Sequence, residues 1–168
     1  IGVNSDYQSS RGGKPAFSYL NAGYADAVTK AGGIPVIVPI NENKDDVERL
    51  LDMLDGFVMI GGADLDPCLD GFMRHPSVRL LDRRREDFDR SLMSMIVQRR
   101  LPFFGIGVGM QLLNVTLGGN LFLHLPEDMP RSLPHCDPSD PSHRHALEVE
   151  PDSLMGRVYG EGEIRVNS

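Results

Sequence analysis

At 168 residues, 40% of them hydrophobic and 24% charged, the chain has material for one well-buried α/β domain and too little for two, so residues 1–168 are expected to form a single domain. A formal net charge of -7 and a pI near 5.1 argue against the concentrated basic face that nucleic-acid phosphates require. No apolar run approaches the roughly 20 residues of a bilayer span, no signal-peptide pattern is present, and Cys68 and Cys136 are too few for a disulfide framework, so a cytoplasmic, reducing compartment is expected.

Short apolar runs alternate with helical stretches, the pattern of βαβ units in a mostly parallel sheet flanked by helices. Ile1–Val3 reads as the end of a first strand and Ser5–Pro15 as a polar loop. Phe17, Leu20, Tyr24, Ala27, Val28 and Ala31 recur at helical spacing, and Gly32-Gly33 ends that helix. Ile34–Pro39 is a buried-type second strand, Asp45–Leu54 an amphipathic helix, and Gly56–Ile60 a third strand. Asp82–Arg100 reads as a long helix with Phe88, Leu92, Met95 and Ile96 on its inner face, and its Arg83-Arg84-Arg85 and Glu86-Asp87 blocks read as a solvated face. Pro102–Ile106 is the fourth strand, with a short helix from Met110 to Leu117. Asn120–Leu125 is strand-like, Pro126–Ser142 an irregular loop, and Ala146–Val149 and Glu163–Val166 two short strands. The start at Ile1 within one strand pattern and the end at Asn167-Ser168 straight after another are expected to be cut ends, with a C-terminal part of the fold missing.

Ligands in an open parallel sheet bind beyond the carboxyl ends of the strands, which draws attention to the glycine-rich turns after the third and fourth strands. The segment Phe103-Phe104-Gly105-Ile106-Gly107-Val108-Gly109-Met110-Gln111 carries a strand into a helix through a sharp turn, the arrangement of a nucleophile elbow. Such a turn strains its central residue and needs small neighbours, which accounts for Gly105 and Gly109.

These residues resemble the elbow of the class I glutamine amidotransferases, G-x-C-x-G-x-Q. Gly109-Met110-Gln111-Leu112-Leu113-Asn114 with Gly118-Gly119 is similar to the γ-glutamyl hydrolase branch, peptidase C26 and γ-glutamyl-γ-aminobutyrate hydrolase-like. Gly61-Gly62-Ala63-Asp64-Leu65-Asp66-Pro67 looks like the family's G-G-x-D-x-x-P. Arg85-Glu86-Asp87-Phe88-Asp89 stands where relatives have an R-D-x-x-E-like helix start, and Arg165-Val166-Asn167-Ser168 is like the R-V-N-S before a His pair. The resemblance implies a flavodoxin-like class I glutamine amidotransferase fold. It implies a cysteine thiolate that attacks a γ-glutamyl carbonyl, backbone N–H groups that hold the oxyanion, and a His oriented by a Glu. Gly62 and Val108 map to the oxyanion donors, and Gln111 and Gly61 to the substrate side. The nucleophile position falls on Gly107, followed by Val108 where the branch often has Arg, and the His and Glu belong to an H-P-E segment expected beyond residue 168. Two adjacent departures suit natural divergence better than a designed knockout. The implied partner is a small γ-glutamyl substrate or ligand, γ-glutamyl-γ-aminobutyrate of polyamine breakdown among them, with no cofactor, no membrane, and a homodimer among the expected assemblies.

Other residues are weighed against plainer roles. Cys68 follows the Gly61-Gly62 loop but reads as inert packing. His135, Cys136, Asp137, His143 and His145 share one loop without a standard zinc spacing, so no metal is expected. His75 and His124 carry no partner visible in the sequence, and Asp64 and Asp66 read as turn caps before acid–base groups or cation ligands. Two readings compete with a silenced hydrolase. One is a non-enzymatic γ-glutamyl or amino-acid binding module. The other is a dinucleotide site built on Gly105-x-Gly107 with Glu127 about 20 residues on, against which Met110 stands where the third glycine belongs. Only about ten residues then lead to the next strand-like run, where a parallel crossover needs about a dozen.

Overall fold

The computed structural model describes residues 1–133, 139–140 and 142–167. It divides into two compact units, Ile1–Leu123 and His124–Ser168. In the first, the elements run β1 (Gly2–Asn4), β2 (Asp6–Gln8), β3 (Phe17–Tyr19), α1 (Ala22–Lys30), β4 (Val36–Val38), α2 (Lys44–Leu51), β5 (Phe57–Met59), a 3-10 turn (Pro67–Asp70), α3 (Arg83–Arg99), β6 (Phe103–Gly105) and α4 (Val108–Thr116). The four-stranded sheet has the order β4-β1-β5-β6 with every pairing parallel. Counting only these strands along the chain, the order is second, first, third, fourth, which is the flavodoxin-like arrangement.

Pleating sends alternate residues to opposite faces. Val38, Phe57 and Met59 meet Val47 and Leu51 of α2, Phe88, Leu92 and Ile96 of α3, and Val108 and Leu112 of α4. On the other face Val3 packs with Val28 and Ile60, bordered by Leu20, Tyr24 and Val58. The sheet is thus sandwiched by helices, and the turns after β5 and β6 emerge side by side at its carboxyl end.

The structure departs from the sequence reading in five places. Ser5–Pro15 is not simply a loop, because Asp6–Gln8 pairs antiparallel with Phe17–Tyr19. Phe17 and Leu20 therefore lie outside α1, which starts at Ala22 behind Asn21, and Phe17 and Tyr19 are exposed. Hairpin pairing, closed by a hydrogen bond from the Tyr19 hydroxyl to Asp6 Oδ2 at 2.9 Å, overrides the apparent helical spacing. The second parallel strand, β4, is an edge strand: Val38 is buried, whereas Val36 and Ile37 are exposed. Asn120–Leu125 contains no strand, and α5 (Leu125–Asp128) begins there, with Pro126 in its first turn and Asp128 Oδ2 accepting from the His124 N–H at 3.0 Å. Finally, the charged run of α3 is divided: Arg83, Arg84 and Asp87 are exposed as expected, whereas Arg85 and Glu86, and Asp89 one turn on, are buried. Their partners are described below.

The second unit pairs β7 (His145–Val149) with β8 (Gly162–Val166) antiparallel, His145 opposite Val166 and Val149 opposite Gly162. Between them lies α6 (Leu154–Tyr159), capped by Ser153, whose Oγ accepts from the Gly156 N–H at 2.8 Å. Among the described residues no helix is long and apolar enough to cross a membrane.

Candidate active site

The elbow follows from sterics. β6 ends at Gly105, and Gly107 caps α4 with φ +52° and ψ -114°, a conformation that side-chain-bearing residues rarely adopt. Both flanking glycines are required by close approach. A Cβ on Gly105 would lie 2.6 Å from the Met110 nitrogen, and one on Gly109 would lie 2.5 Å from the Met59 carbonyl oxygen. Hydrogen bonds close the turn: Ile106 N–H donates to the Met59 carbonyl (3.0 Å), Gly109 N–H to Ile106 (3.0 Å) and Gln111 N–H to Gly107 (3.1 Å).

Gly107 differs from its neighbours in what surrounds it. A Cβ there meets only the Gly61 Cα, at 3.7 Å, so the position is strained in backbone yet open to a side chain. The contact also brings together the two turns singled out in the sequence. Gly107 and Gly62 are exposed, Gly61 and Gln111 half-buried, and Val108 buried. Val108 opens α4, so its N–H belongs to the first-turn donors that lack an intrahelical acceptor, and among the described residues the Gly62 N–H has no backbone acceptor either.

The Gly61-Gly62 loop is held by charged side chains of α3. Arg85 is fully buried. Its Nη2 donates to the Gly61 carbonyl at 3.0 Å, its Nε to Asp89 Oδ2 at 3.2 Å, and its Nη1 lies 2.7 Å from Asp6 Oδ1. Asn4 completes the network by accepting from Ile60 N–H and donating to Asp89 Oδ1, both at 2.9 Å. Further along, Asp66 N–H donates to Glu86 Oε1 at 3.0 Å, and Arg90 bridges Glu86 and Asp70. Burial pushes the Asp89 carboxyl up to about 6, against the opposing pull of Arg85 and Asn4. At Asp6 burial also acts upward, but Arg85 and the Tyr7 N–H outweigh it and hold the carboxyl below its usual value, and the Tyr19 hydroxyl bonded to it is raised.

The remaining candidates fall into place locally. Asp66 caps the 3-10 turn by accepting from Cys68 N–H at 3.1 Å and pairs with Arg74 at 2.8 Å. Asp64 Oδ2 accepts from Arg79 N–H at 2.7 Å. Cys68 does not serve as packing as the sequence suggested, because it is exposed on that turn, and His75 Nδ1 lies 2.7 Å from the Ser77 hydroxyl. His124 faces Glu127 at 3.9 Å in α5, and His143 and His145 belong to the second unit. His135, Cys136 and Asp137 lie outside the described residues, as does Ser168 of the Arg165–Ser168 motif. Among the described residues no three His, Cys, Asp or Glu side chains converge as metal ligands would. Reading the sequence alone missed the Arg85, Asp89, Asn4 and Asp6 network. A signal was present, because Arg85 and Asp89 fall at i, i+4 on the same stripe as Leu92 and Ile96.

Comparison with known proteins agrees with this architecture. The chain is 33% identical over 153 residues to protein NtpR of Enterococcus hirae, covering 90% of this chain and 63% of that protein. It is 39% identical over 110 residues to a putative glutamine amidotransferase of Mycobacterium tuberculosis, covering 65% and 36%. It is 30% identical over 150 residues to the gamma-glutamyl-gamma-aminobutyrate hydrolase of Escherichia coli K12, covering 84% and 58%. The chain thus spans less than two thirds of the length of these relatives. The sequence pattern of Peptidase C26 matches residues 1–168, and with this fold and elbow the chain belongs to that family, a branch of the class I glutamine amidotransferase-like proteins.

Proposed function

We propose that the elbow is a γ-glutamyl amide site in which thioester chemistry is silenced at Gly107. Thioester hydrolysis needs a nucleophilic atom on the elbow residue, positioned beside donors for the developing oxyanion. Gly107 has no such atom. The observation that carries the reading is the pairing of a retained scaffold with an empty position: Gly105 and Gly109 admit no Cβ, whereas Gly107 faces open space beside Gly61. On this reading Gly62 and Val108 N–H groups hold the γ-carbonyl oxygen, and Gln111 and Gly61 border the glutamyl group. The gamma-glutamyl-gamma-aminobutyrate hydrolase among the relatives makes a γ-glutamyl amide the ligand class of choice.

A binding module without chemistry is the second reading, favoured by the same bare position. The two separate in one assay of the intact protein and its Gly107→Cys variant with glutamine and γ-glutamyl amides. Turnover gained by the variant identifies a silenced hydrolase. Binding without turnover in either form identifies a binding module. Turnover by the unmodified protein contradicts the reading from the missing thiol. Tight binding of a nicotinamide dinucleotide in a fluorescence titration would revive the dinucleotide alternative.

A further inference from the structure

The peptide between Gly61 and Gly62 is fixed by a side chain that the elbow chemistry does not itself use. Its carbonyl accepts from Arg85 Nη2 at 3.0 Å, and a Cβ on Gly62 would lie 2.6 Å from Arg85 Nη1, so the guanidinium lies directly against the loop. An ion pair with Asp89 and Asp6 alone would need only Nε and Nη1. The third nitrogen is spent on the backbone. In a trans peptide the carbonyl and the following N–H point in opposite directions, and no cis peptide occurs among the described residues.

We propose that Arg85 is the positioning residue of the oxyanion donor: by holding the Gly61 carbonyl on the α3 side, it turns the Gly62 N–H to the opposite side, toward the open space at Gly107. Two neighbouring contacts make this a fixed orientation. Asn4 accepts from Ile60 N–H at 2.9 Å just before the loop, and Glu86 accepts from Asp66 N–H at 3.0 Å after it. The loop is therefore clamped at both ends, and Arg85 sets the peptide between them. The oxyanion role rests on the γ-glutamyl reading above, whereas the peptide orientation stands apart from it.

The test compares the intact protein with Arg85→Lys, which keeps the charge but lacks the planar fork that spreads donors over Nε, Nη1 and Nη2 toward Asp89, Asp6 and the Gly61 carbonyl. The probes are L-glutamine, planar at the carbonyl carbon of its γ-carboxamide, and the phosphonate isostere of glutamate, in which a tetrahedral, anionic phosphorus replaces that carbon, both titrated by calorimetry. The Gly62 amide is followed by 1H–15N NMR. One oxyanion donor is worth about 10²–10³ in rate, so misaiming it is expected to weaken the phosphonate about tenfold or more, with glutamine changed by less than about twofold and the Gly62 resonance displaced. Equal weakening of both probes with an unmoved Gly62 resonance would overturn the proposal and leave Arg85 a purely structural ion pair. If neither probe binds the unmodified protein, the γ-glutamyl reading fails, and the Gly61-Gly62 orientation in a crystal structure of the variant decides alone: a flipped peptide supports positioning, and an unchanged one overturns it. Should Arg85→Lys not fold, Arg85→Gln with Asp89→Asn removes both buried charges and carries the same comparison.

Discussion

The two turns that meet at the candidate site are held in opposite ways. The elbow from Gly105 to Gly109 is fixed by the absence of side chains, since backbone presses on backbone and only glycine fits at its flanks. The loop at Gly61-Gly62 is fixed by the presence of side chains, two of them buried and charged, reaching across from α3. One turn is pressed by backbone, that of Met110 close by and of Met59 in the neighbouring strand, and the other is held by side chains of α3 twenty or more positions away. Tolerance to change should therefore differ between them in kind as well as in size.

The largest effect is expected on the loop side. Arg85→Met leaves the buried Asp89 and the partly buried Asp6 without their cation, and removing one partner of a buried pair costs about 3–5 kcal/mol. Arg83→Ala, two residues away in the same basic run but exposed, is expected to leave the unfolding midpoint unchanged. Urea unfolding of the two variants checks this contrast, and equal midpoints would erase the distinction between buried and solvated arginines.

On the elbow side, Gly109→Ala forces a methyl to 2.5 Å from the Met59 carbonyl oxygen and is expected to cost about 3 kcal/mol. Gly107→Ala meets open space and bears only the strain of its positive φ, about 1 kcal/mol. The same denaturation measurement ranks them, and the reverse order would mean that the elbow relaxes where we describe it as rigid.

A smaller effect concerns the charge network through pH. Asp89 has a folded pKa near 6 against an ordinary 3.8, so between those values the folded state binds the proton more tightly than the unfolded chain. Its contribution is therefore most favourable at low pH and is lost as pH rises through about 6. Relative to Asp89→Asn, the unmodified protein should lose thermal stability over that window. A difference that grows in the opposite direction would mean that Arg85 and Asn4 outweigh burial at this carboxylate.

The same contrast explains what was legible in the sequence. The elbow could be read because its signature is local, glycines at fixed spacing between an apolar strand and an apolar helix, even though Gly109 is pressed by Met59 of β5. The parallel sheet was legible from apolar runs alternating with helical stretches, and the inner stripe of Phe88, Leu92, Met95 and Ile96 from its period within one segment, all four being buried. Arg85, Glu86 and Asp89 were not, because a charge run is ordinarily solvated and their burial depends on partners elsewhere in the chain. The β2–β3 hairpin escaped because its first strand lies in a polar stretch and its second carries Phe17 at an apparent helical spacing, whereas the equally short parallel strands lie in apolar runs. Conversely, Asn120–Leu125 had strand-like composition but pairs with no strand among the described residues, and the chain turns into α5 at Leu125.

The most direct measurement of the central claim is intact-mass spectrometry of the protein after incubation with a γ-glutamyl amide. We expect no covalent glutamyl adduct on the unmodified protein, because Gly107 offers no atom to acylate. An adduct on the unmodified protein, mapped to Cys68 or any other side chain, would contradict a site silenced at Gly107.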